Sequence, residues 1–322
     1  MEKLRELLTG RILLLCHHNA DPDAVCAAYG IQKLIEALDP SSTAEIFLPG
    51  GASSLTQTIM KTREIPTLTQ ASIDDYDTLI LLDTATPNQL ADWATIVQES
   101  KAKKIFIDHH KTHPDTEKLA DYTFIDESAT STCELVHRIY TGLGIDPSPE
   151  VAHALLLGIA YDSRHFSIAT PDTLNATSAL LEINGPIEDI LSTLRTERNR
   201  PEKIARIKAA QRMQIHDTQG WTLATSRLSS FQASAARALI SLGADASIVC
   251  GSKKEELSAS LRSTTRFYKT TQIHLGDIAQ ILGKEFGGAG SGHPTAAGVN
   301  GEGEAEKLLE RAVQLISEQL SS

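Results

Sequence analysis

Cysteine is scarce. Cys16, Cys26, Cys133 and Cys250 show no C-x-x-C spacing, so neither a zinc knuckle nor a disulfide framework is expected, and the thiols read as reduced and mostly buried. Long apolar runs are also missing: the stretch 12–15 falls far short of the roughly 20 residues that a membrane helix needs. No signal peptide is read at the start of the chain, so a cytoplasmic protein without membrane partners is expected. Positive charge is in deficit, with 30 Lys and Arg against 41 Asp and Glu and a net charge of -11. That balance argues against a coat for long nucleic acid, which relies on a basic surface to release counterions. A small anionic ligand stays open, because bound cations reverse the local field of an acidic site. Repeats, low-complexity tracts and collagen-like or disordered bias are absent as well.

What is present is an ordinary folding composition, 41% hydrophobic and 22% charged, over 322 residues. That length favours two domains with a cleft between them. Short apolar runs alternate with helical patterns in the first half, which predicts an α/β fold with β-α-β units and a mainly parallel sheet. Strands are expected over 12–16, 45–48, 78–82 and 104–107, with an edge-like fifth at 122–125, and helices over 131–143 and 148–160. A charged segment around Pro201, running from Arg195 to Lys203, reads as the connection between domains. The boundaries that follow are 1–190, a linker at 191–204, and a smaller α/β domain over 205–322. In the latter, strands are expected near 221–225, 247–250, 257–261 and 297–299, with a Gly-rich loop at 287–293 and an amphipathic helix over 305–320.

Three strands of the first half end in concentrated polar groups, and open α/β sheets bind ligands at the carboxyl ends of their strands. His17, Asp21 and Asp23 form H-x-x-x-D-x-D directly after a strand, a crowding of charge that calls for a cation. Asp21 alone is explained as a helix cap with Pro22 at the first helical position, but His17 and Asp23 are not. Asp83 reads equally as a turn former or a ligand. Asp108, His109 and His110 stand in a row where packing needs none of them, with a solvated turn as the alternative. Asp162 could end a helix, although an acid is unfavourable there. Such an oxygen-rich shell with imidazoles suits Mn²⁺ or Mg²⁺, sometimes Co²⁺. Two such ions about 3.5–4 Å apart activate water and neutralise phosphoryl oxygens, so phosphoryl hydrolysis is the natural chemistry.

These motifs, in order and spacing, resemble the DHH phosphoesterase superfamily: His17 to Asp23, Asp83, Asp108-His109-His110, and Gly158 to Asp162. In the second half, Ser260 to Ser263 and Gly290 to Gly298 resemble the substrate strand and the GGGH-x-x-AAG loop of the DHH-associated domain. The resemblance thus covers nearly the whole chain, and within the superfamily it is nearest to oligoribonucleases of the nanoRNase type, pAp phosphatases and cyclic-dinucleotide phosphodiesterases. It implies that His17 and Asp21 hold one Mn²⁺, that Asp23, His109 and Asp162 hold a second, and that Asp83 bridges them. His110 would face the substrate phosphate, with Asp108 orienting its neighbours. Arg262 and Ser263, with Gly290, Gly292 and His293, would grip a terminal phosphate or nucleotide. Three departures stand out. Ser291 replaces a glycine of the GGGH loop, Ser163-Arg164-His165-Phe166 follows Asp162 where small residues are usual, and no arginine follows Asp83 within Thr84 to Asn88.

The remaining candidates read as structural. Ser131 and Glu134 suggest a capping box, although a helix N-terminus also holds phosphate. His113, His137, His153, His216 and His274 are isolated, His18 reads as a supporting neighbour, and Arg195, Arg198 and Arg200 as a solvated linker. The expected partner is a short oligonucleotide or nucleotide phosphate, with a homodimer left open. The alternatives are a polyphosphate or pyrophosphate hydrolase and a single-strand exonuclease. A nucleotide sensor without turnover ranks last, because all six proposed ligand positions are filled.

Overall fold

Runs of aliphatic side chains with hardly a polar interruption suit a parallel sheet covered on both faces. The computed structural model describes residues 1–194, 199–253 and 256–321, and the chain divides into two units, Met1–Thr196 and Glu197–Ser322. In the first unit, strands Arg11–Cys16 (β1), Thr43–Phe47 (β2), Thr78–Leu82 (β3), Lys103–Asp108 (β4) and Tyr122–Ile125 (β5) form one parallel sheet. Its order is β2-β1-β3-β4-β5. Successive β1 residues serve opposite cores. Ile12, Leu14 and Cys16 pack with residues of helices Pro22–Leu38, Thr132–Leu143 and Pro149–Asp162, whereas Leu13 and Leu15 pack with Phe47, Leu79, Leu81 and Phe106.

The strand order reverses at β1, with β2 on one side and β3 on the other, so the carboxyl ends of β1 and β3 form the switch point where connections diverge and a site can open. Helix Pro22–Leu38 leaves from there, capped by Asp21 Oδ1, which accepts from Ala24 N at 3.1 Å. Behind it, helix Pro149–Asp162 runs so close to Thr132–Leu143 that a Cβ on Gly158 would overlap Cys133 Sγ and lie 2.7 Å from Asp23 Oδ1. Glycine is what lets these helices and the Asp23 carboxylate meet.

The second unit is a mixed sheet of Gln214–Thr218 (β6), Trp221–Arg227 (β7), Ala246–Lys253 (β8), Glu256–Ser263 (β9), Ala289–His293 (β10) and Ala296–Glu302 (β11), ordered β10-β11-β9-β8-β7-β6. Only β7 and β8 run parallel. Helix Ala305–Leu320 buries Leu308, Ala312, Leu315 and Ile316 in its core.

Sequence reading and structure differ in three places here. Most of the Gly-rich stretch expected as a loop is the edge strand β10: a Cβ on Gly290 would overlap the Ala279 carbonyl oxygen of helix Leu275–Glu285, so the glycines reflect close approach to that helix rather than a loop. Strand β6 was not foreseen, because its residues are largely polar and exposed. Of the stretch 191–204 expected as a linker, residues 191–194 finish helix Glu188–Leu194 and residues 200–204 open helix Arg200–Gln211, with Asn199 as its cap and Pro201 in its first turn. Arg195, Thr196, Glu197 and Arg198 lie outside the described residues. All four cysteines are free and buried. No helix among the described residues is long and apolar enough to cross a membrane.

Candidate metal centre

Strands β1, β3 and β4 are neighbours, and their carboxyl ends deliver His17, Asp83 and Asp108-His109-His110 to one place. Asp83 has a left-handed backbone (φ 53°), pinned by its N–H donating to Ile107 O at 3.1 Å. A residue with a Cβ in that conformation costs about 1–3 kcal/mol, and such outliers concentrate at functional sites. The carboxylate faces two ways. Oδ2 lies 3.5 Å from His17 Nε2, and Oδ1 lies 3.4 Å from both His109 Nε2 and His110 Nδ1.

On the His17 side, Nδ1 is 2.9 Å from the His18 carbonyl, which only accepts, so Nδ1 carries the proton and Nε2 is the ligating nitrogen. Asp21 Oδ1 is 3.8 Å from that Nε2 while also capping its helix, so the capping and site readings of Asp21 hold together. On the other side, the buried His109 Nε2 lies 3.0 Å from Asp162 Oδ2, an ion-pair contact outside hydrogen-bond geometry. Asp23 is fully buried. Its Oδ2 accepts from Thr132 N at 2.6 Å and its Oδ1 from Cys133 N at 3.0 Å, so the free N–H groups that open helix Thr132–Leu143 hold this carboxylate. Asp108 Oδ1 accepts from His110 N at 3.1 Å and from His110 Nδ1 at 2.9 Å, while its Oδ2 is buried and unpartnered.

Donor atoms of His17, Asp21 and Asp83 lie within 4.8 Å of one another, and so do those of Asp23, His109 and Asp162. Donors about 2.1 Å from one Mg²⁺-sized ion span up to about 4.2 Å, so each set is near ligating distance of a common ion. The electrostatics fit the same occupant. Burial works against charge on His17, but Asp21 and Asp83 outweigh it and hold the imidazole up at about 10. His109 stands at about 11 in the same way, with Asp162 and Asp83 overcoming burial. Asp108 and then Asp83 raise His110 to about 10. Burial would raise Asp83, yet His109, His110 and His17 keep it well below the usual carboxylate range. Burial, then Asp83 and Asp162, push Asp23 up. The cluster retains protons because it needs positive charge, and divalent ions would displace them.

Sequence reasoning missed Thr132. Its hydroxyl donates to Asp83 Oδ1 at 3.1 Å, so one helix start holds two of the predicted carboxylates. The sequence of this segment predicts a capping box, and only half of it forms: Ser131 Oγ accepts from Glu134 N at 3.1 Å, but the Glu134 carboxylate turns to Thr130, Thr173 and Arg138. His18 is exposed and its Nδ1 bonds the Gln89 carbonyl at 3.1 Å, which leaves it outside the ligand sets. His153 and His216 have structural partners in Asn184 and Thr225.

In the second unit Arg262 sits on β9 between Ser247 of β8 and Ala296 of β11. It lines a hollow of ≈ 560 Å³ with Ser260, Gly290, Gly292 and His293. Its Nε–H is buried and unpartnered. Burial, then Arg237, lowers its pKa. Ser263 is not in that lining, and its Oγ is buried without a partner. Ser291 has no positive φ, so the glycine it replaces is not required for conformation. Size alone does not pick the site: a hollow of ≈ 620 Å³ beside β6 and β7 holds none of the predicted residues.

Comparison with known proteins places both halves of the chain in known families. Residues 11–159 match the DHH family, N-terminal domain, and residues 231–322 match the DHHA1 domain. An uncharacterized protein of Methanocaldococcus jannaschii is 33% identical, over 98% of this chain and 94% of its own. The bifunctional oligoribonuclease and PAP phosphatase NrnA of Thermus thermophilus is 23% identical, over 97% of this chain and 91% of its own. Among solved structures, an exopolyphosphatase-related protein from Bacteroides fragilis superposes with a TM-score of 0.64 at 18% identity, over 100% of this chain and 97% of that one, a likeness of fold.

Proposed function

The chain belongs to the DHH family of metal-dependent phosphoesterases, and on that premise we propose that it hydrolyses short oligonucleotides, linear dinucleotides or nucleotide phosphates of the pAp kind. The observation that carries this reading is Asp83, one carboxylate with an oxygen turned to each of two ligand sets. His17 and Asp21 would hold one ion, Asp23, His109 and Asp162 the other, and Asp83 both, with Mn²⁺ favoured by the mixed oxygen and imidazole donors. Bound there, a pair of divalent ions supplies Lewis-acid neutralisation of phosphoryl charge and activation of water.

The protein's own groups do the rest. His110 is tied to Asp108 through Nδ1, which leaves Nε2 of a half-exposed ring to donate a hydrogen bond to a phosphoryl oxygen or a proton to the leaving oxygen. Asp108 keeps that tautomer and ring orientation. Helix Thr132–Leu143 steadies Asp23 and Asp83 through the Thr132 and Cys133 N–H groups and the Thr132 hydroxyl. In the second unit, the unpartnered Nε–H of Arg262 suits a phosphate oxygen, and Gly290, Gly292 and His293 line the same hollow. NrnA, whose name joins oligoribonuclease with PAP phosphatase, supports nucleotide substrates. The net charge of -11 speaks against long strands.

A panel of pApA, pAp, a 5-mer, a 24-mer and polyphosphate, run with Mn²⁺, Mg²⁺ or Co²⁺ and again after chelation, tests the reading. Turnover is expected for the short nucleotides, best with Mn²⁺ and abolished by chelator. Efficient degradation of the 24-mer at physiological salt, or preferential release of orthophosphate from polyphosphate, would refute it.

A further inference from the structure

Helix Pro149–Asp162 ends on a candidate ligand, and the chain then passes through three consecutive left-handed residues that are not glycine: Arg164 (φ 52°), His165 (φ 55°) and Phe166 (φ 66°). Side chains rarely adopt this conformation even singly. The turn is nonetheless pinned. His165 N donates to Ala160 O at 2.7 Å, Arg164 N to Tyr161 O at 3.1 Å, Ile168 N to Ser163 O at 3.2 Å, and Phe166 N to Ser163 Oγ at 3.1 Å. Phe166 packs against the first core, which accounts for its side chain. Arg164 and His165 are exposed, so packing accounts for neither, and glycine would follow the same path more cheaply.

The turn brings Arg164 and Ile168 to the wall of a hollow of ≈ 540 Å³ that also contains His109, Tyr161 and Asp162. Arg164 is the only Lys or Arg lining it, and its guanidinium has no ion pair or hydrogen bond among the described residues. Glu127 is the other charged residue of the lining apart from the centre itself, and its Oε1 accepts from Thr112 N at 3.4 Å. Ile168, 50% exposed, offers apolar surface beside the guanidinium. No arginine occurs within Thr84 to Asn88 after Asp83, and in this hollow Arg164 supplies a cation beside His109 and Asp162.

We propose that Arg164 is a substrate-binding residue that takes a second phosphate, the one adjacent to the phosphate being hydrolysed, while Ile168 and Tyr161 flank the attached sugar or base. The left-handed turn after Asp162 is the device that aims it. This assignment rests on the phosphoesterase reading, and it confines the substrate class to esters that carry another anionic group close to the reacting one.

Arg164→Gly tests it without endangering the fold, because glycine accepts φ 52° freely. The variant should melt at the same or a higher temperature and titrate Mn²⁺ like the wild type. Its kcat/KM for pAp and pApA should fall roughly 10- to 100-fold, the range of one charge-assisted hydrogen bond. Turnover of bis-p-nitrophenyl phosphate, which has a single phosphate, should stay within about 3-fold. Affinity for pAp in chelated buffer reads the same contact without turnover and should drop in step, with Arg164→Lys intermediate in both assays. Unchanged handling of pAp, or equal losses on both substrates, would overturn the role of Arg164. A wild type that turns over none of these esters yet binds pAp through Arg164 would instead overturn the phosphoesterase reading and leave this anion site standing.

Discussion

Replacing Thr132 by valine isolates the contribution of one helix start to the candidate centre. The side chain is fully buried, and its hydroxyl donates to Asp83 Oδ1 at 3.1 Å while its N–H serves Asp23 Oδ2 at 2.6 Å. Valine keeps the volume, the β-branch and the N–H, so no cavity opens and Asp23 is untouched. What disappears is a single O–H···O⁻ bond, leaving Asp83 with His17, His109 and His110 at 3.4–3.5 Å. A hydrogen bond to a charged group contributes about 1.5–3 kcal/mol. At about 1.4 kcal/mol per decade, that corresponds to roughly 10- to 150-fold. Groups that orient metal ligands typically change metal affinity or activity by about 10- to 100-fold when removed, which agrees. Mn²⁺ titration by calorimetry should therefore show Thr132→Val binding at least about 10-fold more weakly, with Thr132→Ser restoring most of the affinity. If the valine variant bound Mn²⁺ within about 3-fold of wild type and kept its kcat, the hydroxyl would have no part in holding Asp83.

Gly158→Ala should be damaging for a substitution so small. Its methyl would sit 2.7 Å from Asp23 Oδ1 and against Cys133 Sγ, an overpacking of about 1–3 kcal/mol, lowering Tm by about 2–4 °C for each kcal/mol; an unchanged melting curve would contradict the packing described. Arg262→Ala should leave the fold intact, because the buried Nε–H has no protein partner to lose. It should raise KM for the 5-mer about 10-fold while sparing bis-p-nitrophenyl phosphate, and equal losses on both would remove Arg262 from substrate binding.

Much of the first unit was legible because the information is local. Runs such as Thr78–Leu82 are apolar on both faces and short, so they specify buried parallel strands. Polar clusters at the ends of such runs must then gather at one edge of the sheet, as His17, Asp83 and His109 do. Asp21 and Pro22 likewise announce their own helix start. Where glycine and polar side chains dominate, the local signal misleads: β10 looked like a loop because close approach to a helix, not strand propensity, selects its residues. Pairing across long stretches of chain leaves no local trace at all. Thr132 meets Asp23 across 109 positions and Asp83 across 49. The left-handed turn at Arg164 is similar, since its φ values are set by hydrogen bonds back to Ala160, Tyr161 and Ser163 rather than by the preferences of its residues. The sequence by itself determined which side chains stand at the strand ends, because element type follows from periodicity and caps. Only the tertiary structure decided which helix start holds Asp23 and Asp83, because that depends on how closely helices Thr132–Leu143 and Pro149–Asp162 pack at Gly158, and which arginine shares a hollow with His109 and Asp162, because that depends on the hydrogen-bonded turn after Asp162.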